Sequence, residues 1–417
     1  MEKTPGELFQ ERTKRVEDAI QLKVPDRVPF LPSFQFFPAK YAGISFKEAM
    51  YDYDKLGMAL KKVILDFQPD MYVNLYGTIA LGPTLEALDY KQLKWPGHGI
   101  GPNLSYQYVE GEYMKAEEYD AFLADPSDFM IRIFFPRIYG VLEPLQMLPP
   151  IPWVHHYLRA VSTVAILGRP EVAGAFESLL KAGAEAQRMM SKASEFAKEM
   201  EALGFPCERS SAAYAPFDYI GDCLRGTRGI MLDMYRNPDK LLEATGKILP
   251  LILEVATSTA QKTGTRIVYH FLHKCADDLM SPQQFKTFYW PTLRKLMLGL
   301  IDQGLTPCAY FEGVCTSRLE IIGDIPKAKA IYRFAETNIF RAKEILGSQV
   351  CLRGNVPSSL LCTGTPEQVR EYCKKLIDIV GKGGGFIMDA ADGIPDEAKI
   401  ENVRAMADFT REYGVYR

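Results

Sequence analysis

The chain has 417 residues, 47% of them hydrophobic and 24% charged, with a formal net charge of −3. That is the profile of an ordinary globular chain, long enough for one large α/β barrel with an N-terminal elaboration or for two to three smaller domains. So balanced a charge argues against a nucleic-acid surface as the main business, and the lack of any apolar run of roughly 18 or more residues excludes a helical membrane span.

The first stretch, "MEKTPGELFQERTKRVEDAIQ", reads as a polar amphipathic helix without the apolar core of a signal peptide, so the cytoplasm is the expected location. The first ~150 residues are rich in proline and aromatics, as in "VPFLPSFQFFPAKYAG", and read as helices joined by long ordered loops. Residues 171–203 carry apolar positions at helical spacing, with Gly204 as the stop. Beyond them strand-like and helical segments alternate. "FPCERSSAAYAP", "TRIVYHFLHKC", "TPCAYFEG", "AKAIYRFAE", "SQVCLRGN" and "GFIMDAADG" are the strands, each followed by a helical pattern. One such helix starts at Ser281-Pro282, an N-cap followed by a first-turn proline.

Serial strand–helix units of this kind imply parallel strands with crossover helices. Residues 65–77 and 27–34 supply two further strand candidates. The expected fold is therefore an α/β protein, a single (β/α)8 TIM barrel over 1–417 with an N-terminal helical and loop elaboration over roughly 1–150. An open doubly wound sheet is the alternative. It would carry a glycine-rich loop after a strand, whereas "GKGGGF" (381–386) precedes one and reads as a helix C-terminal turn.

Barrel chemistry comes from the C-terminal ends of strands. Those ends carry His273, Cys275, Asp277 and Asp278, then Glu312, Glu336, Asn355 and Asp392. Three carboxylates and a His/Cys pair on one rim need a partner, because an unpaired buried charge is costly. A divalent metal would meet that need, and Lys274 and Arg333 are the alternative counter-ions. His273 and Cys275, two apart in a strand, face the same side, and imidazole with thiolate suits zinc. A packed histidine and a buried thiol is the competing reading, as it is for Cys308 and Cys351 in mid-strand. His155 and His156 read as loop residues. Eight cysteines with no C-x-x-C pair are not a disulfide framework in a chain this long.

"SPQQFKTFYWPTLRKLMLGLIDQG", "RGNVPSSLLCTGTPEQVREYCKKLI" and "GGGFIMDAADGIPDEAKIENVRAM", with "PDRVPFLPSF" near the start, resemble the uroporphyrinogen decarboxylase superfamily over nearly the whole chain. The resemblance implies a (β/α)8 barrel and one of two activities: porphyrinogen decarboxylation, or zinc-dependent methyl transfer to or from a corrinoid protein. The decarboxylases carry an arginine-rich "RQAGRY"-type segment for the substrate's carboxylates. Here "PSFQFFPAKYAG" stands in its place, without arginine. In methyltransferases that make methyl-coenzyme M, a His-x-Cys-Gly and a later Cys-Gly hold zinc. Those motifs align with Tyr310-Phe311-Glu312-Gly313 and Asp392-Gly393, and a further Glu ligand aligns with Glu336.

The resemblance thus implies a kept site with a harder, oxygen-rich ligand set: Glu312, Glu336 and Asp392, with His273 or Cys275 beside them and zinc as the metal. It is similar to the methyltransferases of O-demethylase systems, which move a methyl group from a methoxylated aromatic to the cobalt of a corrinoid protein. Glu312, with Tyr310 close by, is expected nearest the reacting oxygen, either on a metal or as a metal-free general acid. Phe34, Phe36, Tyr76 and Asn355 are the expected substrate-binding residues, with core packing the alternative for the aromatics. The expected partners are a corrinoid protein, a small-molecule methyl donor and a second copy in a homodimer, with no nucleic acid or membrane. The other readings are a quaternary-amine or thioether donor, a decarboxylase, and a degenerate barrel that binds a ligand without turnover.

Overall fold

The computed structural model describes residues 3–150, 157–208 and 211–417; His155 and His156 lie outside them. Six parallel strands form one sheet in chain order: Ser211–Ala212, Ile267–Leu272, Thr306–Phe311, Ile331–Phe334, Cys351–Arg353 and Phe386–Ile387. Helices such as Pro238–Thr263, Trp290–Asp302 and Ile339–Leu346 make the crossovers. The N-cap expected at Ser281 is present, with its hydroxyl accepting from the Gln284 N–H.

The two N-terminal strand candidates close the ring. Leu31 donates its N–H to Met388 O at 3.0 Å, and Met388 donates to Pro29 O at 2.8 Å. Asp70 donates to Phe30 O at 2.9 Å, Tyr72 to Pro206 O at 3.2 Å, and Glu208 to Tyr72 O at 2.8 Å. The result is a (β/α)8 barrel whose last joints are single bridges rather than ladders. The sequence gives the reason: Pro29, Pro32, Pro69 and Pro206 sit in or beside these segments, and proline has no N–H to extend a ladder.

Strand alternation sorts the side chains. Ile267, Tyr269, Cys308, Tyr310, Ile331, Cys351 and Ile387 pack together inside the barrel, while Val268, Ala309 and Phe311 pack under the helices. The first helix, Pro5–Ile20, starts in a Thr4/Glu7 capping box and inserts Val16, Ala19 and Ile20 into the interior cluster, plugging the lower end. A charged layer lies above. Arg353 is fully buried, ion-paired with Glu208 and with Asp389 at 2.9 Å, and Arg333 sits 3.4 Å from Asp389. The glycine run 383–385 has positive φ throughout and forms the turn into Phe386–Ile387, as a helix C-terminal turn requires.

Candidate functional site

The pairing of Leu272 with Phe311 brings the two strand ends level, so the next residues, His273 and Glu312, stand side by side at the mouth. Both continue the inward-facing series of their strands. Glu312 donates its N–H to Leu272 O at 3.3 Å. The chain then turns at Gly313, whose φ is +70° and where a Cβ would stand 3.0 Å from the Ala276 side chain; this turn holds the carboxylate over the barrel.

The imidazole of His273 bridges two acids. Its Nδ1 is 2.5 Å from Asp222 Oδ2 and its Nε2 is 3.6 Å from Glu312 Oε1. Asp222 lies in the helical turn Tyr219–Arg225, which follows Pro216–Asp218 directly. Its other oxygen pairs with Lys274 Nζ at 2.8 Å. Beneath them the buried Asp218 accepts the N–H groups of His273 and Lys274, each at 3.1 Å, and the Tyr289 hydroxyl at 2.5 Å. One carboxylate therefore fixes the backbone that presents the imidazole.

This arrangement separates the proton affinities of the group. Burial disfavours the imidazolium of His273, but the hydrogen bond to Asp222 and the charges of Glu312, Asp222 and Asp218 outweigh it, and its pKa is pushed up to about 9. Burial also works to raise Asp222, yet its bond to His273 and the nearby charges of His273 and Lys274 hold it below the usual carboxylate value. Glu312 moves upward, mainly through burial and then through Asp392 and Asp222, with His273 opposing. Burial, with the charge of Asp222, lifts Asp218 to about 7. The mouth thus holds a protonated imidazole beside a carboxyl group whose affinity for a proton is raised, as general acid chemistry requires.

Tyr310 donates its hydroxyl to Asp392 Oδ1 at 2.8 Å, and the Arg333 guanidinium lies 4.4 Å from its ring centroid. Asp392 is exposed at the lip, where it also accepts from Ser358 at 3.5 Å. Glu336, Asn355 and Asp392 line one cleft of about 570 Å³, with Thr337 and Tyr372 among its walls. Tyr108, at the end of a small three-stranded sheet (Leu93–Pro96, Gly99–Ile100, Gln107–Tyr108), is 80% exposed over the mouth. Its phenol is near enough to feel the charges of Glu312 and Asp222.

Other expected residues lie elsewhere. Cys275 is buried away from the mouth, its sulfur 3.5 Å from that of Cys315 and its pKa raised by burial. Phe34 and Phe36 are core residues, stacked at 5.9 Å on Phe37 and 4.6 Å on Phe46. Tyr76 is buried and donates its hydroxyl to Tyr53 O at 2.7 Å. Asn355 donates to Thr337 O at 3.1 Å. Among the described residues, no three His, Cys, Asp or Glu side chains converge closely enough to hold an ion. The set expected for zinc (Glu312, Glu336, Asp392, His273 and Cys275) does not make a zinc site as arranged. Cys275 belongs to the core, and Glu336 faces the neighbouring cleft.

The family model for uroporphyrinogen decarboxylase matches residues 151–413, well over half of the chain. The chain belongs to the uroporphyrinogen decarboxylase family. Curated family relatives include the uroporphyrinogen decarboxylase of Pseudoalteromonas translucida, 28% identical over 142 residues, which are 32% of this chain and 40% of that protein. That of Neisseria meningitidis is 27% identical over 191 residues, 44% of this chain and 52% of that protein. The chain spans about half the length of the curated relatives it matches. Among solved structures, a methyltransferase from Methanosarcina mazei superposes with a TM-score of 0.62 at 15% identity, covering 96% of this chain and 98% of that one. At that identity the likeness shows the shared fold.

Proposed function

We propose that this family member is a methyltransferase that moves a methyl group from a methoxylated aromatic to the cobalt of a corrinoid protein, with proton assistance at the leaving oxygen. The observation that carries the reading is the line Asp222–His273–Glu312 at the strand ends. An aryl ether is a poor methyl donor because phenolate leaves badly, so the protein's task is to hold the ether in line and neutralise the oxygen. A reduced corrinoid on the partner supplies the nucleophile that takes the methyl group. The methyl–oxygen bond breaks with both electrons staying on oxygen, and a proton from Glu312 ends there. Solvent restores that proton between turnovers, since the Glu312 side chain is open to water, and Asp222 holds the His273 ring beside it. The fold shared with a named methyltransferase supports this assignment, as does the arginine-free segment 32–43. The donors at the mouth do not fit zinc as arranged, so the acid version is the one we adopt.

The test mixes the protein with a cobalt(I) corrinoid and 1,2-dimethoxybenzene and follows both the cobalt absorption and the demethylated phenol. Wild type is expected to give both signals. Glu312→Gln should be slower by roughly 10²–10⁴-fold, the usual worth of a placed general acid. Full activity in that variant, or no transfer from any aryl ether, would overturn the reading.

A further inference from the structure

We propose that the methyl donor is an aromatic ether without a carboxylate and that rings carrying one are excluded. The inference rests on the mouth being the donor site, as argued above. The cations around it are already engaged. Lys274 is held by Asp222 at 2.8 Å and by the Thr227 hydroxyl at 2.7 Å. Arg333 is 3% exposed and bonds Tyr269, Ser33 and the Ala390 carbonyl, with Asp389 at 3.4 Å. Arg353 is sealed between Glu208 and Asp389. Lys375, on the wall of the adjoining cleft, keeps its ammonium 4.5 Å from the Phe340 ring centroid. Among the described residues, the positive charge directed at the mouth is that of His273, and two carboxylates flank it.

The acids, by contrast, are open to an arriving ligand. Glu336 and Asp392 are exposed, and the Glu312 side chain is 37% exposed. The remaining surface is aromatic. Tyr108 overhangs it, and the Phe271 ring lies 6.1 Å from that of His273 and 6.3 Å from that of Tyr310. A flat neutral ring can shed its water here at little cost. A benzoate would lose its hydration, find no unpaired cation among the described residues of the mouth, and face Asp392 at the lip with Glu336 in the adjoining cleft.

Isothermal titration of the full chain with 1,2-dimethoxybenzene, 3,4-dimethoxybenzoate and protonated 3,4-dimethoxyphenethylamine tests this, beside the same three in the corrinoid assay. The neutral ring is expected to bind roughly ten-fold or more tighter than the benzoate, as like-charge juxtaposition dictates. Glu336→Lys should narrow that gap. Benzoate binding as tightly as the neutral ring, or no binding of the neutral ring, would overturn the proposal. The two readings separate cleanly. A neutral ring that binds selectively but is never demethylated sinks the methyl-transfer reading and supports the selectivity. A benzoate that binds best and is demethylated fastest does the reverse.

Discussion

Asp222 and Glu312 give one imidazole two acidic neighbours, and its titration reports on both. The folded pKa of His273 lies above its ordinary 6.5, so the charged ring favours the folded state fully below that value. The contribution fades as pH rises through about 9. Nuclear magnetic resonance of the imidazole should show a midpoint near 9, and Asp222→Asn should move it down toward 6.5. An unchanged midpoint in the variant would remove Asp222 from the pair. Glu312 was legible in the sequence because a carboxylate ends an apolar strand. Asp222 was not, because the strand before it is only Ser211–Ala212 and its run "RSSAAYAP" is weakly apolar. A signal was present: Asp218 and Asp222 stand four apart just beyond a strand end, which puts them on one helical face. Cys275 shows the opposite failure. Two-residue spacing from His273 implies a shared side only while the strand continues, and this strand ends at Leu272.

At the scale of elements, the strand Cys351–Arg353 ties the barrel together from inside. Arg353 reaches Glu208, Asp389, the Leu31 carbonyl at 2.9 Å and the Ser33 hydroxyl at 3.2 Å, and so joins four barrel segments. Arg353→Met would leave the buried Glu208 unpaired and Asp389 with Arg333 alone, and should cost about 3–5 kcal/mol, the usual penalty for breaking a buried pair from one side. Urea unfolding checks this, and a loss under 1 kcal/mol would show that the acids neutralise themselves by taking up protons. Alternation in "CLRGN" places Arg353 inside, but its partners come from strands that prolines shorten, and so they were hard to read. The small sheet ending at Tyr108 went unread because its strands are two to four residues long. Tyr108→Ala should leave stability within about 0.5 kcal/mol, as for most exposed positions, while raising KM for the aromatic donor. An unchanged KM would take this ring out of the binding surface.

Over the whole molecule, the order of elements was the most legible property. Six strand–helix units in series allow few topologies, and the two proline-rich N-terminal segments complete the ring as expected. Among the described residues, no helix is long and apolar enough to cross a membrane. What the sequence left open was which rim residues meet, because that depends on where each strand stops relative to its neighbour. The level ends of Ile267–Leu272 and Thr306–Phe311 made His273 and Glu312 a pair and left Glu336 to another cleft.

In the proposed reaction Glu312 hands a proton to the leaving oxygen. Single-turnover methyl transfer from a series of methoxyarenes, whose product phenols span several pKa units, measures this in wild type and Glu312→Gln. The defect is expected to be largest for the least acidic phenol and to shrink steadily as the phenol becomes more acidic, because a good leaving group needs no proton. A defect of equal size across the series, or none, would contradict it.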